Sequence, residues 1–153
     1  MAANTGRTNA KHITVMLDNA AGTLTDISAY VDDIGSVGLE YETADVTAFS
    51  DGVTNITIGR PSAPLTLAGP FDTVMNVQAI AVNGKAAEIL SLDIQIGIRQ
   101  AWESGEPQFG ITQSATSGYL MHDYQVTDNG ERWSAQLNVF GPTAPAWGTS
   151  AES

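Results

Sequence analysis

Tyr119-Leu120-Met121-His122-Asp123-Tyr124-Gln125-Val126-Thr127-Asp128-Asn129-Gly130-Glu131-Arg132-Trp133-Ser134-Ala135-Gln136-Leu137-Asn138-Val139-Phe140 decides the fold class. Two alternating runs flank a turn. In Tyr119–Thr127, Leu120, His122, Tyr124 and Val126 share one face, and Tyr119, Met121, Asp123 and Gln125 share the other. In Arg132–Phe140, Trp133, Ala135, Leu137 and Val139 turn inward. A period of two places successive side chains on opposite faces of a strand, and Asp128-Asn129-Gly130 supplies the residues a tight hairpin turn requires.

The same alternation recurs upstream. Ile89–Arg99 sets Leu90, Leu92, Ile94, Ile96 and Ile98 against Ser91, Asp93, Gln95, Gly97 and Arg99. Ala63–Ala68 turns Leu65 and Leu67 inward, and His12–Asp18 does so with Ile13, Val15 and Leu17 before a turn at residues 18–22. Val37–Thr43 reads as a strand with Val37, Leu39, Tyr41 and Thr43 buried and Glu40 and Glu42 wet. Thr23–Val31 leaves two readings open. Thr25-Asp26 could cap one helical turn, or Leu24, Ile27 and Tyr30 could pack as an irregular strand. Residues 44–61 are less regular and read as a long, partly extended hairpin turning at Asp51-Gly52. One helix is expected over 71–83, capped by Asp72, with Phe71, Val74, Val77, Gln78 and Ala81 as its face and Asn83-Gly84 closing it. Residues 100–110 read as a loop. The expected architecture is mainly β: an antiparallel β-sandwich or barrel with one flanking α-helix. One domain, 12–141, lies between polar arms at 1–11 and 142–153, with 42–60 as its long loop.

The 153 residues suit one domain, and 42% hydrophobic content supplies a core. Only 15% of residues are charged, yet 17 acids face 6 bases, for a net charge of −11. That balance argues against gripping nucleic-acid phosphates and against docking on an anionic membrane. With no cysteine, disulfides, thiolate metal sites and cysteine nucleophiles are excluded. No apolar run is long enough to span a bilayer, and Met1–Arg7 lacks the apolar core of a signal peptide, so synthesis and first use in a cytoplasm are expected. Without a secretion signal, the acceptor triplet Asn55-Ile56-Thr57 is a chance match.

Chemistry is sparse. His12 and His122 stand outside metal or catalytic spacings, and neither a nucleophile elbow nor a phosphate loop occurs. Asp32-Asp33 and the set Glu40, Glu42 and Asp45 offer carboxylates that could serve as calcium ligands or an acid–base pair. Their spacing does not match a calcium loop, and a solvated strand face is the better reading. Trp102, Trp133 and Trp147 lack the regular spacing of a stacking platform, so core or subunit contacts suit them better. The polar strand faces carry Thr, Ser, Gln and Asn, and only Lys11 and Lys85 are lysines. Monomers usually guard exposed edges with lysine, so neighbouring subunits are expected to cover these.

Several stretches together resemble a family. They are Leu17–Asp32, Glu42–Gly52, Leu65–Asp72, Tyr119–Val126 and Trp133–Gly141, and they resemble, in order and spacing, the small tail tube proteins (major tail proteins) of long-tailed bacteriophages. Residues 89–110 depart from that pattern. The resemblance implies a β-sandwich with a flanking helix, six copies to a ring, and rings stacked into a conduit for the genome. It implies no enzymatic activity and no cofactor. Its partners would be other copies of the chain and tail proteins such as the tape measure and terminator, in a virion tail assembled in the host bacterial cytoplasm. DNA would pass without specific binding, and no membrane is involved. Residues 42–60 match the family's stacking loop, which makes Asp45, Val46, Phe49, Asp51, Val53, Ile56 and Ile58 the expected inter-ring contacts. The loop and both arms are expected to order on assembly.

A surplus of acids would also keep DNA from adhering to a channel wall. Among outward-facing acids on long strands (Glu40, Glu42, Asp93 and Asp123), Glu40 and Glu42 are the expected lumen-facing pair, because their strand leads into the loop. A capsid decoration or cement protein is the alternative reading. A carbohydrate- or calcium-binding β-sandwich module is a weaker one.

Overall fold

In the computed structural model, which describes residue 8 and residues 10–153, the alternating segments pair into antiparallel strands. These are β1 (Ile13–Asp18), β2 (Leu24–Asp26), β3 (Glu40–Asp45), β4 (Ile56–Ser62), β5 (Leu65–Pro70), β6 (Leu92–Ile96), β7 (Gln108–Ile111), β8 (Gly118–Val126), β9 (Arg132–Phe140) and β10 (Ala146–Gly148), with one helix, α1 (Thr73–Val82). A five-stranded sheet runs β10-β7-β6-β1-β2, a three-stranded sheet runs β5-β9-β8, and β3 pairs only with β4. The fold is thus mainly antiparallel β with a single flanking helix.

The core draws on the two larger sheets and the helix. Val15, Leu17, Leu92, Ile94, Phe109 and Ile111 come from the first sheet, and Leu65, Leu67, Tyr119, Met121, Trp133, Ala135 and Leu137 from the second. The C-terminal hairpin forms as expected, with Gly130 at φ +71° in the turn. A bulge in β8 between His122 and Gln125 adds one residue, and Asp123 takes φ +55° there. The alternation read across Tyr119–Thr127 therefore changes phase. Tyr119 and Met121 face the core before the bulge, and Tyr124 packs against it afterwards.

Segment 23–31 combines both open readings. Strand β2 is followed by a single 3-10 turn at Ser28–Tyr30, and Asp26 Oδ1 accepts from Ser28 N at 2.9 Å. The next residues run tightly along β5, where Asp32 N donates to Ala68 O and Ala68 N to Asp33 O, both at 2.9 Å. That approach needs Gly69, since a Cβ there would lie 1.9 Å from Tyr30 O.

Two strand faces differ from expectation. Val37 and Leu39 pack against the core, but β3 begins after them and all six of its residues are exposed. The half-buried strand expected over Val37–Thr43 is therefore an anchor followed by a projecting hairpin. The outer face of β6 is not wet either. Ser91 and Asp93 are buried, so Asp93 is not an outward-facing acid. Its cover includes residues 142–153. In that segment β10 pairs with β7, Trp147 tilts onto Phe109 at 5.1 Å, and Glu152 N donates to Asp93 Oδ2 at 3.3 Å. Of the arm expected at 1–11, residues 1–7 and 9 lie outside the described residues, and Ala10–His12 form a 3-10 turn.

The helix is capped as read. Asp72 Oδ1 accepts from Val74 N at 2.7 Å, and Gly84 follows Asn83 with φ +70°. Its inward face is turned by about 100° from the expected one, of which Gln78 and Ala81 are half-buried and Gln78 Oε1 accepts from Thr25 Oγ1 at 3.2 Å. Met75, Ala79 and Val82 are buried, whereas Val74 and Val77 are 60% and 65% exposed. Periodicity could not choose, because apolar residues surround the helix. Anchors outside it set the rotation: Tyr124 Oη donates to Asn76 Oδ1 at 2.9 Å, and Gly84 N donates to Met121 O at 2.9 Å.

Candidate assembly surface

The β3–β4 hairpin has an apolar side and an acidic side. Residues directly opposite in an antiparallel pair share a face. Thr43 pairs with Ile58 and Asp45 with Ile56, so strand alternation puts Tyr41, Thr43, Asp45, Ile56 and Ile58 on one side. Glu40 and Glu42 occupy the other. The register shift between Tyr41 and Thr43 places the additional residue in β4, so the alternation of β3 is untouched. Pro61 lies beside the shift, where an edge strand tolerates a missing N–H.

The tip is tied by its own polar groups. Asp45 Oδ1 accepts from Thr47 N at 2.8 Å, and Asp51 Oδ2 accepts from Ala48 N at 2.7 Å and Asn55 Nδ2 at 2.9 Å. Thr47 Oγ1 accepts from Asn55 N at 2.7 Å. The bonds from Thr47 lower the Asp45 pKa, and the bonds from Ala48 N–H and Asn55 lower that of Asp51. Both carboxylates thus close the loop. Around them Val46, Val53, Ile56 and Ile58 are more than half exposed, and Phe49 is fully exposed at the tip. The structure thus gathers the seven expected contact residues on one hairpin, with Glu40 and Glu42 on its base and opposite face.

A second surface escaped the sequence reading. Phe71, Val74, Val77 and Ile80 form an exposed apolar stripe along α1. Its signal was present in the absence of any charged residue from Thr73 to Gly84. A helix apolar all round is ordinarily buried.

The chemical candidates are used otherwise. His122 is half-buried, with Asn138 Nδ2 donating to its Nε2 at 2.6 Å and its Nδ1–H donating to Asp123 Oδ2 at 3.0 Å. The His12 carbonyl accepts from Gly97 N. Asp32 receives a two-pronged bond from Arg132 at 2.7 and 2.8 Å, which lowers its pKa, so Asp32-Asp33 is not a free cation site. Among the described residues no group of three metal-ligand side chains occurs. Trp102 Nε1 donates within its own loop to Pro107 O at 3.0 Å, Trp133 is a core residue, and Trp147 is half-exposed on β10.

Asp93 yields a pH prediction. Its Oδ2 accepts from Gln95 Nε2 at 2.8 Å and from Glu152 N, while Oδ1 has no partner among the described residues. Burial raises its pKa, and the Glu152 carboxylate adds to the rise. A carboxyl whose folded pKa exceeds its unfolded value holds more protons when folded. It therefore costs stability as pH rises from about 4 through the folded pKa. Asp93→Asn removes that cost. Thermal melts should show the substitution more stabilising at pH 7.5 than at pH 4.5, and an equal difference at both pH values would contradict the assignment.

No protein-family model and no curated protein matches the chain. Solved structures do match. A chain of the virion of a native gene transfer agent particle is 23% identical, with a TM-score of 0.56 over 93% of this chain and 99% of that one. A chain of the tail of an empty gene transfer agent particle, from helical refinement with C6 symmetry, is 22% identical at 0.54 over the same shares. A chain of the anti-feeding prophage cap, which terminates its tube, is 11% identical at 0.54 over 98% of this chain and 96% of that one. The fold built from these strands is therefore one that chains of phage-like tail particles share along nearly their whole length.

Proposed function

We propose that this chain is a structural protein of a phage-type tail, forming six-copy rings that stack into a tube through which a genome leaves the particle. One observation carries the reading: a two-faced hairpin with no buried residue projects from a fold common to chains of tail particles. An isolated two-stranded hairpin is marginal in water, so one that exposes six large apolar side chains calls for a partner. The chain would act with tape-measure and terminator proteins, and its role would be architectural rather than catalytic. Electron microscopy of the purified protein tests this, and rings or tubes are expected. Monomers or trimers that bind only capsids would instead identify a cement protein.

Within that reading, Glu40 and Glu42 face the channel and repel phosphate. The double substitution Glu40→Lys with Glu42→Lys should still yield tubes, because neither residue is buried. It should slow ejection at low salt, and the effect should fade as salt shortens the Debye length to about 8–10 Å. Normal ejection by the double variant at low salt would rule out the lumen assignment.

A further inference from the structure

We infer that the outer face of α1 is the seat for the β3–β4 hairpin of another copy of this chain, in the neighbouring ring. The inference rests on the proposed ring-stacking role and names the surface that receives the hairpin. Three observations lead to it.

The first is that both surfaces are unfinished. The helix stripe Phe71, Val74, Val77 and Ile80 and the hairpin residues around Phe49 account for ten of the thirteen large apolar side chains left exposed among the described residues. Patches of this kind on a soluble chain mark contact sites.

The second is that the helix brings no charge to the contact, and the carboxylates at the hairpin tip come with hydrogen bonds of their own. Residues 73–84 have no charged side chain, and Asp72 spends its carboxylate on the helix cap. The Asp45 and Asp51 carboxylates at the hairpin tip are already bonded within their own loop. Apposing the two surfaces therefore meets no charge on the helix side, and the tip carboxylates keep the donors they already have. Other segments meet this condition less well: the rim near Asp32 carries an exposed ion pair, and the outer face of β6 holds the Asp93–Glu152 carboxylates.

The third is the symmetry of the contact. Two different patches on one chain make a head-to-tail contact, which, unlike a two-fold contact, can repeat from ring to ring along an axis, as a stacked tube requires. One contact is also small. A stable pair needs about 20–30 residues a side, which neither a ten-residue helix nor this hairpin supplies alone. Six such contacts between rings act together, so stacking would be firm while isolated subunits stay apart.

The test uses two exposed positions. Phe49→Asp spoils the hairpin and leaves the helix intact, and Val77→Asp does the reverse. Each variant alone should stop at single rings, with the concentration needed for tubes raised at least about tenfold. Mixed together they should give paired rings, since each supplies the surface that the other lacks. Tubes from Val77→Asp at the wild-type concentration would overturn the inference and leave the ring-stacking reading standing. A wild-type chain that never forms rings would overturn both. Cross-linking gives a readout that tolerates a misfolded charge variant, because the chain has no cysteine of its own. Chains carrying Val53→Cys and chains carrying Val77→Cys, co-assembled and treated with a short bis-maleimide, should give a covalent dimer that neither gives alone. Tubes in which Val53→Cys links only to itself would overturn the inference.

Discussion

A chain lacking residues 45–58 is expected to fold and to form no tubes at any practical concentration. The deletion removes the hairpin tip and the apolar ends of β3 and β4, none of which is buried. The residues on which the sandwich depends lie outside it. Val37 and Leu39 still anchor the approach to β3, and Ala63 and Leu65 begin the core after β4. Surface changes of this kind alter stability by less than about 1 kcal/mol, so the melting temperature should hardly move. The loss for assembly is of another order. Val46, Phe49, Val53, Ile56 and Ile58 go together, and burying one such side chain is worth roughly 1.5–3 kcal/mol. With six copies of the contact between rings, no partial stacking is expected to survive. Circular dichroism should show a folded β protein that has lost only the strand signal of the hairpin, while microscopy shows single rings or monomers. Tubes from the deleted chain would remove the hairpin from the assembly contact.

That experiment depends on a hairpin that the sequence revealed in outline but misjudged in its surroundings. Val37–Thr43 alternates cleanly, and alternation reports which side chains share a face. It does not report what covers that face. Tyr41 and Thr43 turn from the acids Glu40 and Glu42 as expected, yet both stay exposed in the subunit. The helix fails the same way for a related reason. With apolar residues on most sides of α1, its periodicity fits two inward faces about 100° apart, and the choice falls to Asn76 and Gly84, whose partners on β8 are distant in sequence. The C-terminal hairpin was legible because both of its strands and its turn lie in one local stretch. The phase change at Asp123 was not, since a bulge leaves no composition signal when a non-glycine residue takes the positive φ. Asp93 was read as wet because its cover includes Glu152, 59 residues away.

Trp133→Ala is expected to have the largest effect on the subunit itself. The side chain is 1% exposed and sits on β9 between the sheets, its ring 6.0 Å from that of Tyr124. Truncating a buried tryptophan typically costs about 3–5 kcal/mol through lost transfer energy and the cavity left behind. The indole also does a second job. Its Nε1–H donates to Tyr30 O at 2.9 Å, the same carbonyl that presses against Gly69 on β5. Removing the donor leaves that carbonyl without the indole, in a crossing too tight for any side chain at residue 69. The adjacent Arg132–Asp32 pair is about half exposed and contributes little to holding the segment. At about 2–4 °C per kcal/mol for a domain of this size, the midpoint should fall by about 10 °C or more. Trp133→Phe separates the two roles. It keeps most of the packing and loses the hydrogen bond, so its drop should be the smaller one. Segment 30–39 leads directly into β3, so the loosening should also reach the hairpin base. Hydrogen exchange in Trp133→Phe should rise first at Asp32 and Asp33, whose N–H groups bond to Ala68 O. Unchanged protection there, with a melting temperature equal to wild type, would show that the Tyr30 contact does not hold the segment to β5.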